Sequence, residues 1–142
     1  MDRYFARPLI STPKNTLREK IIRQFDEASA LFRVDGYQIV EAIGVITFSW
    51  RRDYQIVDKV PRPRRCVVSV SYSRFWPFSA WNLDVTAELQ LEEDGVMKTI
   101  ATSGNKPKIS VWQWDEGVAL VLGDQFREAI GWAERTARNG KT

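Results

Sequence analysis

Few side chains in this sequence have both the type and the setting for chemistry. Cys66 is the single thiol, and the chain contains no histidine to take its proton. That absence removes Ser-His-Asp and Cys-His catalysis, histidine metal sites and the usual switch near neutral pH. Cys66 opens the stretch CVVSVSYS at a position that alternation assigns to a buried face, so it reads as a structural thiol. The neighbouring Arg64 and Arg65 are the one feature able to lower its pKa. Two acidic pairs, Glu92-Glu93 and Asp115-Glu116, fall at an expected hairpin and an expected helix start. Solvated turn and cap carboxylates account for both without acid–base catalysis. GNKP at 104–107 lacks the spacing and the Ser/Thr of a phosphate-binding loop and reads as a turn. No cofactor and no metal is expected, and the chain reads as a binder rather than an enzyme.

Two other stretches have the composition of binding surfaces. In RRDYQIVDKVPRPRR, residues 51–65, six cations stand against two acids, an excess larger than the net +3 of the whole chain. Beside Trp50, Tyr54 and Tyr72 they offer phosphate contacts and stacking faces, the two ingredients of single-strand nucleic-acid binding. Arg62, Arg64 and Arg65 are the candidates for that role. The structural alternative is a sheet edge blunted by charge and proline. SRFWPFSAW, residues 73–81, concentrates Phe75, Trp76, Phe78 and Trp81 around Pro77. The stretch does not alternate, so it is a connection, and connections run over the surface. It either folds back to close the core or forms an apolar contact surface, helped by Trp112 and Trp114 on a short strand.

The elements that must position these residues are legible from periodicity. Thr16 and Glu19 have the capping-box spacing, and Leu17, Ile21, Phe25, Ala28 and Phe32 recur at helical intervals towards a stop at Asp35-Gly36. A short strand over RYFARPLI precedes this helix. After it, YQIVEAIGVITFSW reads as a strand covered on both faces, with Gly44 at a bulge or bend, and DYQIVDKV as a weaker one. Cys66, Val68, Val70 and Tyr72 face one way along the next strand. Leu83, Val85, Ala87, Leu89 and Leu91 do so along the one after. Asp94-Gly95 is a hairpin signal, and a bulged loop that turns Met97 rather than Lys98 inward is expected. ISVWQW supplies a last short strand. A closing helix follows, with Asp115 as candidate cap, a stripe of Leu122, Phe126, Ile130 and Ala133, and Arg135 and Arg138 near its C-terminal end. Gly123 and Gly131 weaken it and leave its start open as late as Asp124.

With 142 residues, 44% of them hydrophobic and 27% charged, the chain is expected to form one domain over 1–142. The fold class expected is α+β: a curved antiparallel meander of about five to six strands packed in two layers against an N-terminal and a C-terminal helix. This element order resembles the helix-grip architecture of lipid-transfer and polyketide-cyclase-like domains, and less completely the cystatin arrangement. The helix-grip resemblance implies an apolar cavity between sheet and last helix. The lone cysteine excludes an internal disulfide, no apolar run reaches the ~20 residues of a membrane span, and the opening residues do not read as a secretory signal. A cytoplasmic location is the default expectation. Three functions follow: an interaction domain assembling with itself or a protein partner, a carrier of a small hydrophobic ligand, or a nucleic-acid binder.

Overall fold

The computed structural model describes residues 11–34, 36–53, 63–76, 79–104 and 106–138. Helices α1 (Lys14–Leu31) and α2 (Glu116–Arg138) flank six strands in the chain. These are β1 (Gln38–Ala42), β2 (Val45–Asp53), β3 (Pro63–Ser73), β4 (Trp81–Glu93), β5 (Val96–Thr102) and β6 (Ile109–Val111). The expectations for a first strand before Ser11, for Asp35, for residues 54–60 of DYQIVDKV, and for Arg62, Pro77 and Phe78 lie outside the described residues.

Leu17, Ile21, Phe25 and Ala28 are buried along one stripe of α1, as their spacing requires. The helix starts two residues before Thr16. Pro13 is its N-cap, in an extended conformation, and the Pro13 carbonyl accepts the first helical bond from Leu17 N at 2.9 Å. Thr16 and Glu19 therefore lie inside the helix, and the capping box is not used. The C-terminal end is a Schellman closure that comes before Gly36. Arg33 takes the left-handed residue position (φ 55°), its N–H bonds to Ala30 O at 3.2 Å, and Val34 N–H bonds to Ser29 O at 3.1 Å. A non-glycine residue there is unfavourable on its own, so something else must hold it.

All strand pairs are antiparallel, in the order β1-β2-β3-β4-β5, with β6 also on β4; the sheet is open. The two alternating strands carry their inward residues as read: Cys66, Val68, Val70 and Tyr72 on β3, and Leu83 to Leu91 on β4, are buried. YQIVEAIGVITFSW is a hairpin, not one strand. Gly44, at φ 74°, turns the chain so that Ala42 pairs with Val45. A side chain at Gly44 would meet Tyr72 O at 3.3 Å, so the turn needs glycine for both angle and space. The hairpin is missed in sequence because Ile43-Gly44 has no Asn or Asp to announce it. The second hairpin turns in two residues. Asp94 and Gly95 both have positive φ, 53° and 78°, the type I′ requirement. Lys98 thus pairs with Leu91 and Met97 with Glu92, opposite to expectation, and the irregularity sits deeper, between Leu89 and Gln90.

Both helices cover the same face of the sheet. Phe25 stacks on Phe48 at 3.9 Å between centroids, and Phe126 meets them edge-on at 5.3 and 5.9 Å. These rings fill the middle of the space where the helix-grip resemblance implies a cavity. Gly131 of α2 lies against α1: an added Cβ there would sit 3.5 Å from the Phe32 ring. The glycines that weaken α2 on propensity thus lie within it, and the helix runs unbroken from Glu116. Among the described residues, no helix is long and apolar enough to cross a membrane.

Candidate functional site

The β1–β2 turn, the β3–β4 connection, the entry to α1 and the β6–α2 connection converge on one end of the sheet. Register requires this: Val45 pairs with Ser71 and Trp81 with Val111, so the turns beyond them share that end. Tyr72 N–H donates to Gly44 O at 2.8 Å and ties the first turn to β3. Thr12 N–H donates to Trp112 O at 2.9 Å, and Trp114 N–H to Thr12 Oγ1 at 2.9 Å, clamping the start of α1 to the chain leaving β6.

Trp81 is the buried anchor of this end. Its Nε1 donates to Thr12 O at 2.7 Å, its ring lies 5.7 Å from that of Tyr72, and the Arg74 guanidinium stands 4.3 Å over it. Such a cation–π contact is worth about 0.5–1 kcal/mol at exposed sites. Arg74 Nη1 also donates to Ser11 Oγ at 2.8 Å. The β3–β4 connection is closed by Ser79, whose hydroxyl accepts from Trp76 N at 3.0 Å and donates to Trp76 O at 2.8 Å. Outside this frame stand Ile43 (97% exposed), Phe75 (93%), Trp76 (59%) and Trp112 (39%). At the same end an open depression of about 520 Å³ is lined by Lys14, Ile43, Gly44, Tyr72, Arg74 and Trp81 among others. Burial raises the Tyr72 phenol pKa, with Glu41 adding to the rise and Arg18 opposing it.

The aromatic candidates therefore separate. Phe75, Trp76 and Trp112 are outside. Trp81 is buried and Trp114 half-buried against the core, so neither stands in the exposed layer with them. Both loop closure and exposed surface occur in SRFWPFSAW: Trp81 belongs to the first and Phe75 with Trp76 to the second. Phe78 lies outside the described residues. Ile43 joins the surface without a sequence signal beyond its place before a glycine.

The arginine candidates separate too. Arg62 lies outside the described residues. Arg64 is 1% exposed, on the helix-covered face opposite Arg52, so it does not reach a nucleic-acid backbone. Arg65 points to the other face and is half-buried. Near Arg64, Arg52 Nη1 meets Glu134 Oε1 at 2.8 Å, and Arg52 Nη2 donates to the carbonyls of Phe32 (3.3 Å) and Arg33. This is what holds Arg33 in its left-handed conformation: a cation on the last carbonyls of α1, charge-balanced by a carboxylate of α2. Glu134 has no sequence signal, because it reads as one charge among several on α2.

The groups weighed for chemistry have structural duties. Cys66 is buried opposite Trp50 and Leu89. Glu92 pairs with Arg51, and Asp115 Oδ1 accepts Val118 N–H at 2.8 Å as the cap of α2. Among the described residues, no group of three or more Cys, Asp or Glu is placed to hold a metal ion. Comparison with protein-family models, curated proteins and solved structures finds no match in any of the three.

Proposed function

We propose that this chain is a non-enzymatic binding module that associates, through its aromatic end, with an apolar surface on a protein, a second copy of the chain being the simplest occupant. The observation that carries the reading is the exposure of Ile43, Phe75, Trp76 and Trp112 on three separate connections at one end of one sheet. Burying a large apolar side chain gains roughly 1.5–3 kcal/mol, so a group left in water together on a rigid frame favours a partner. Trp is also among the residues that dominate interface energetics. The frame is rigid for stated reasons: Trp81 is anchored to Thr12, the β3–β4 connection is closed by Ser79, and the β1–β2 turn is tied to Tyr72.

Sedimentation velocity over a wide concentration range tests the reading. The expected result is a concentration-dependent dimer or closed oligomer whose dissociation constant rises at least tenfold in Trp76→Ala and in Phe75→Ala. A monomer at all concentrations would rule out the second copy as occupant. Association unchanged by either substitution would remove the aromatic end from the interface.

A second reading, capture of a small apolar molecule, has one specific observation in its favour. The depression beside Tyr72 and Trp81, about 520 Å³, falls within the roughly 300–1,000 Å³ of ligand sites. Native mass spectrometry discriminates the two, since retained small-molecule mass on a monomer supports the ligand and an adduct-free oligomer the protein partner.

A further inference from the structure

The register of β2 on β3 sets Arg51 opposite Arg65 and Arg52 opposite Arg64. Like charges directly opposite each other destabilise a sheet, so each pair calls for counter-charge. On the helix-covered face Glu134 supplies it to Arg52. On the open face Glu92 reaches across from β4 to Arg51. Arg65, half-buried between β2 and β4, has no carboxylate partner among the described residues. Of the outer pair, Glu92 reaches Arg51 and not Arg65.

Arg65 borders a depression of about 280 Å³ lined also by Gly36, Gln38, Ser49, Trp50 and Arg51. Gln38 pairs with Ser49 in the β1–β2 ladder, so the carboxamide, the hydroxyl and both guanidinium groups share one face of the sheet. Among the described residues the lining offers donors of three kinds and no carboxylate. An opening of this size admits a single anionic group. We infer that this depression binds a single phosphate group, as free orthophosphate or as the phosphomonoester of a small molecule, with Arg65 as its principal contact and Ser49 and Gln38 as hydrogen-bond donors. Arginine is suited to phosphate because its fork donates two parallel hydrogen bonds. The site is separate from the aromatic end and does not depend on its role.

The test is a ¹H–¹⁵N NMR titration of the full chain with sodium phosphate, ionic strength held constant with sodium chloride. Saturable shifts confined to the amides of residues around 36–38, 49–51 and 65 are expected. Arg65→Gln should weaken binding at least tenfold, on the order of one lost charge-assisted hydrogen bond, while its spectrum elsewhere stays unchanged. Ser49→Ala serves as a second, smaller perturbation, and Arg74→Gln as a control that leaves binding intact. A titration with phosphoserine separates the two sources: comparable affinity supports a monoester, and binding of orthophosphate alone supports the free ion. Shifts that do not saturate, or equal affinity in Arg65→Gln, would overturn the site. So would salt-dependent binding of oligothymidylate that survives Arg65→Gln.

Discussion

The two ends of the sheet invert the usual distribution of polarity. At one end, where β2 ends and β3 begins, Arg64 and Glu134 are buried and Arg52 is held between two helices. At the other, Ile43, Phe75 and Trp76 stand in water. The charged end is closed by its own side chains: Arg52 satisfies the last carbonyls of α1 and is paired with a carboxylate of α2. The aromatic end is closed beneath its surface, through Trp81 and Thr12, and Ile43, Phe75 and Trp76 stand outside that closure. Buried charge that is paired serves the fold, and breaking it is costly. Exposed apolar surface gives the fold little, and its value must come from elsewhere.

The largest effect expected is therefore at the charged end. Glu134→Ala removes a carboxylate whose side chain is 4% exposed from an arginine whose side chain is 29% exposed. Breaking such a pair should cost about 3 kcal/mol, the lower end for buried pairs because Arg52 keeps some access to water. It should also loosen α1, since the Arg52 contact to Phe32 and Arg33 loses its balance. Urea denaturation reads the loss, and Glu134→Gln, which keeps an acceptor, should lose less. Equal stability of Glu134→Ala and the parent would mean that the charged end is not closed in the way described.

Trp81→Phe probes the layer beneath the aromatic surface. It removes the donor to Thr12 O and part of a buried ring. A cost of about 1–2 kcal/mol is expected, combining one hydrogen bond with a small cavity. The Trp81 layer should thus behave like core, in contrast to its neighbours Phe75 and Trp76.

How much of this was readable in the sequence follows the same division. Local patterns survived: the α1 stripe, the alternation of β3 and β4, the Asp115 cap and the Asp94-Gly95 turn are each decided by residues close together in the chain. What escaped depends on pairing across the sheet. That Arg64 faces inward and Arg65 outward follows from the alternation that places Cys66, yet that the helices bury Arg64 to 1% exposure is not written in the strand. The separation of Trp81 from Trp76 rests on a hydrogen bond to Thr12, sixty-nine residues away. The Ile43-Gly44 turn lacked a marker, because one left-handed glycine fits a bend inside a strand as well as a hairpin. Register is set by what each strand meets, and that information is not local.

Tyr37 gives a pH test that belongs to the charged half of the sheet. Its hydroxyl donates to Asp26 Oδ1 at 2.9 Å, and burial, then that hydrogen bond and the Asp26 charge, push its pKa up to about 12. The folded state thus holds the proton more tightly than the unfolded chain, where tyrosine titrates near 10. The resulting stability is fully present below pH 10 and is lost as the pH rises through about 12. Thermal midpoints of the parent and Tyr37→Phe should converge over that interval, because the variant lacks the group that titrates. A constant difference between them up to pH 12 would count against the raised Tyr37 pKa.

The smallest effect on stability is expected where exposure is greatest. Phe75→Ser replaces a side chain that buries little on folding and should change unfolding free energy by no more than about 0.5 kcal/mol, while Trp76→Ser, at a ring 59% exposed, should cost about 1 kcal/mol. Trp76→Ser also leaves the Ser79 closure intact, since both of its hydrogen bonds are to the Trp76 backbone. The comparison between the two ends is sharpest here. If Phe75→Ser leaves folding unchanged while association falls, the aromatic layer is surface held ready for a partner. If it destabilises the chain as much as Trp81→Phe does, Phe75 belongs to the closure of the core, and the two ends differ in polarity but not in purpose.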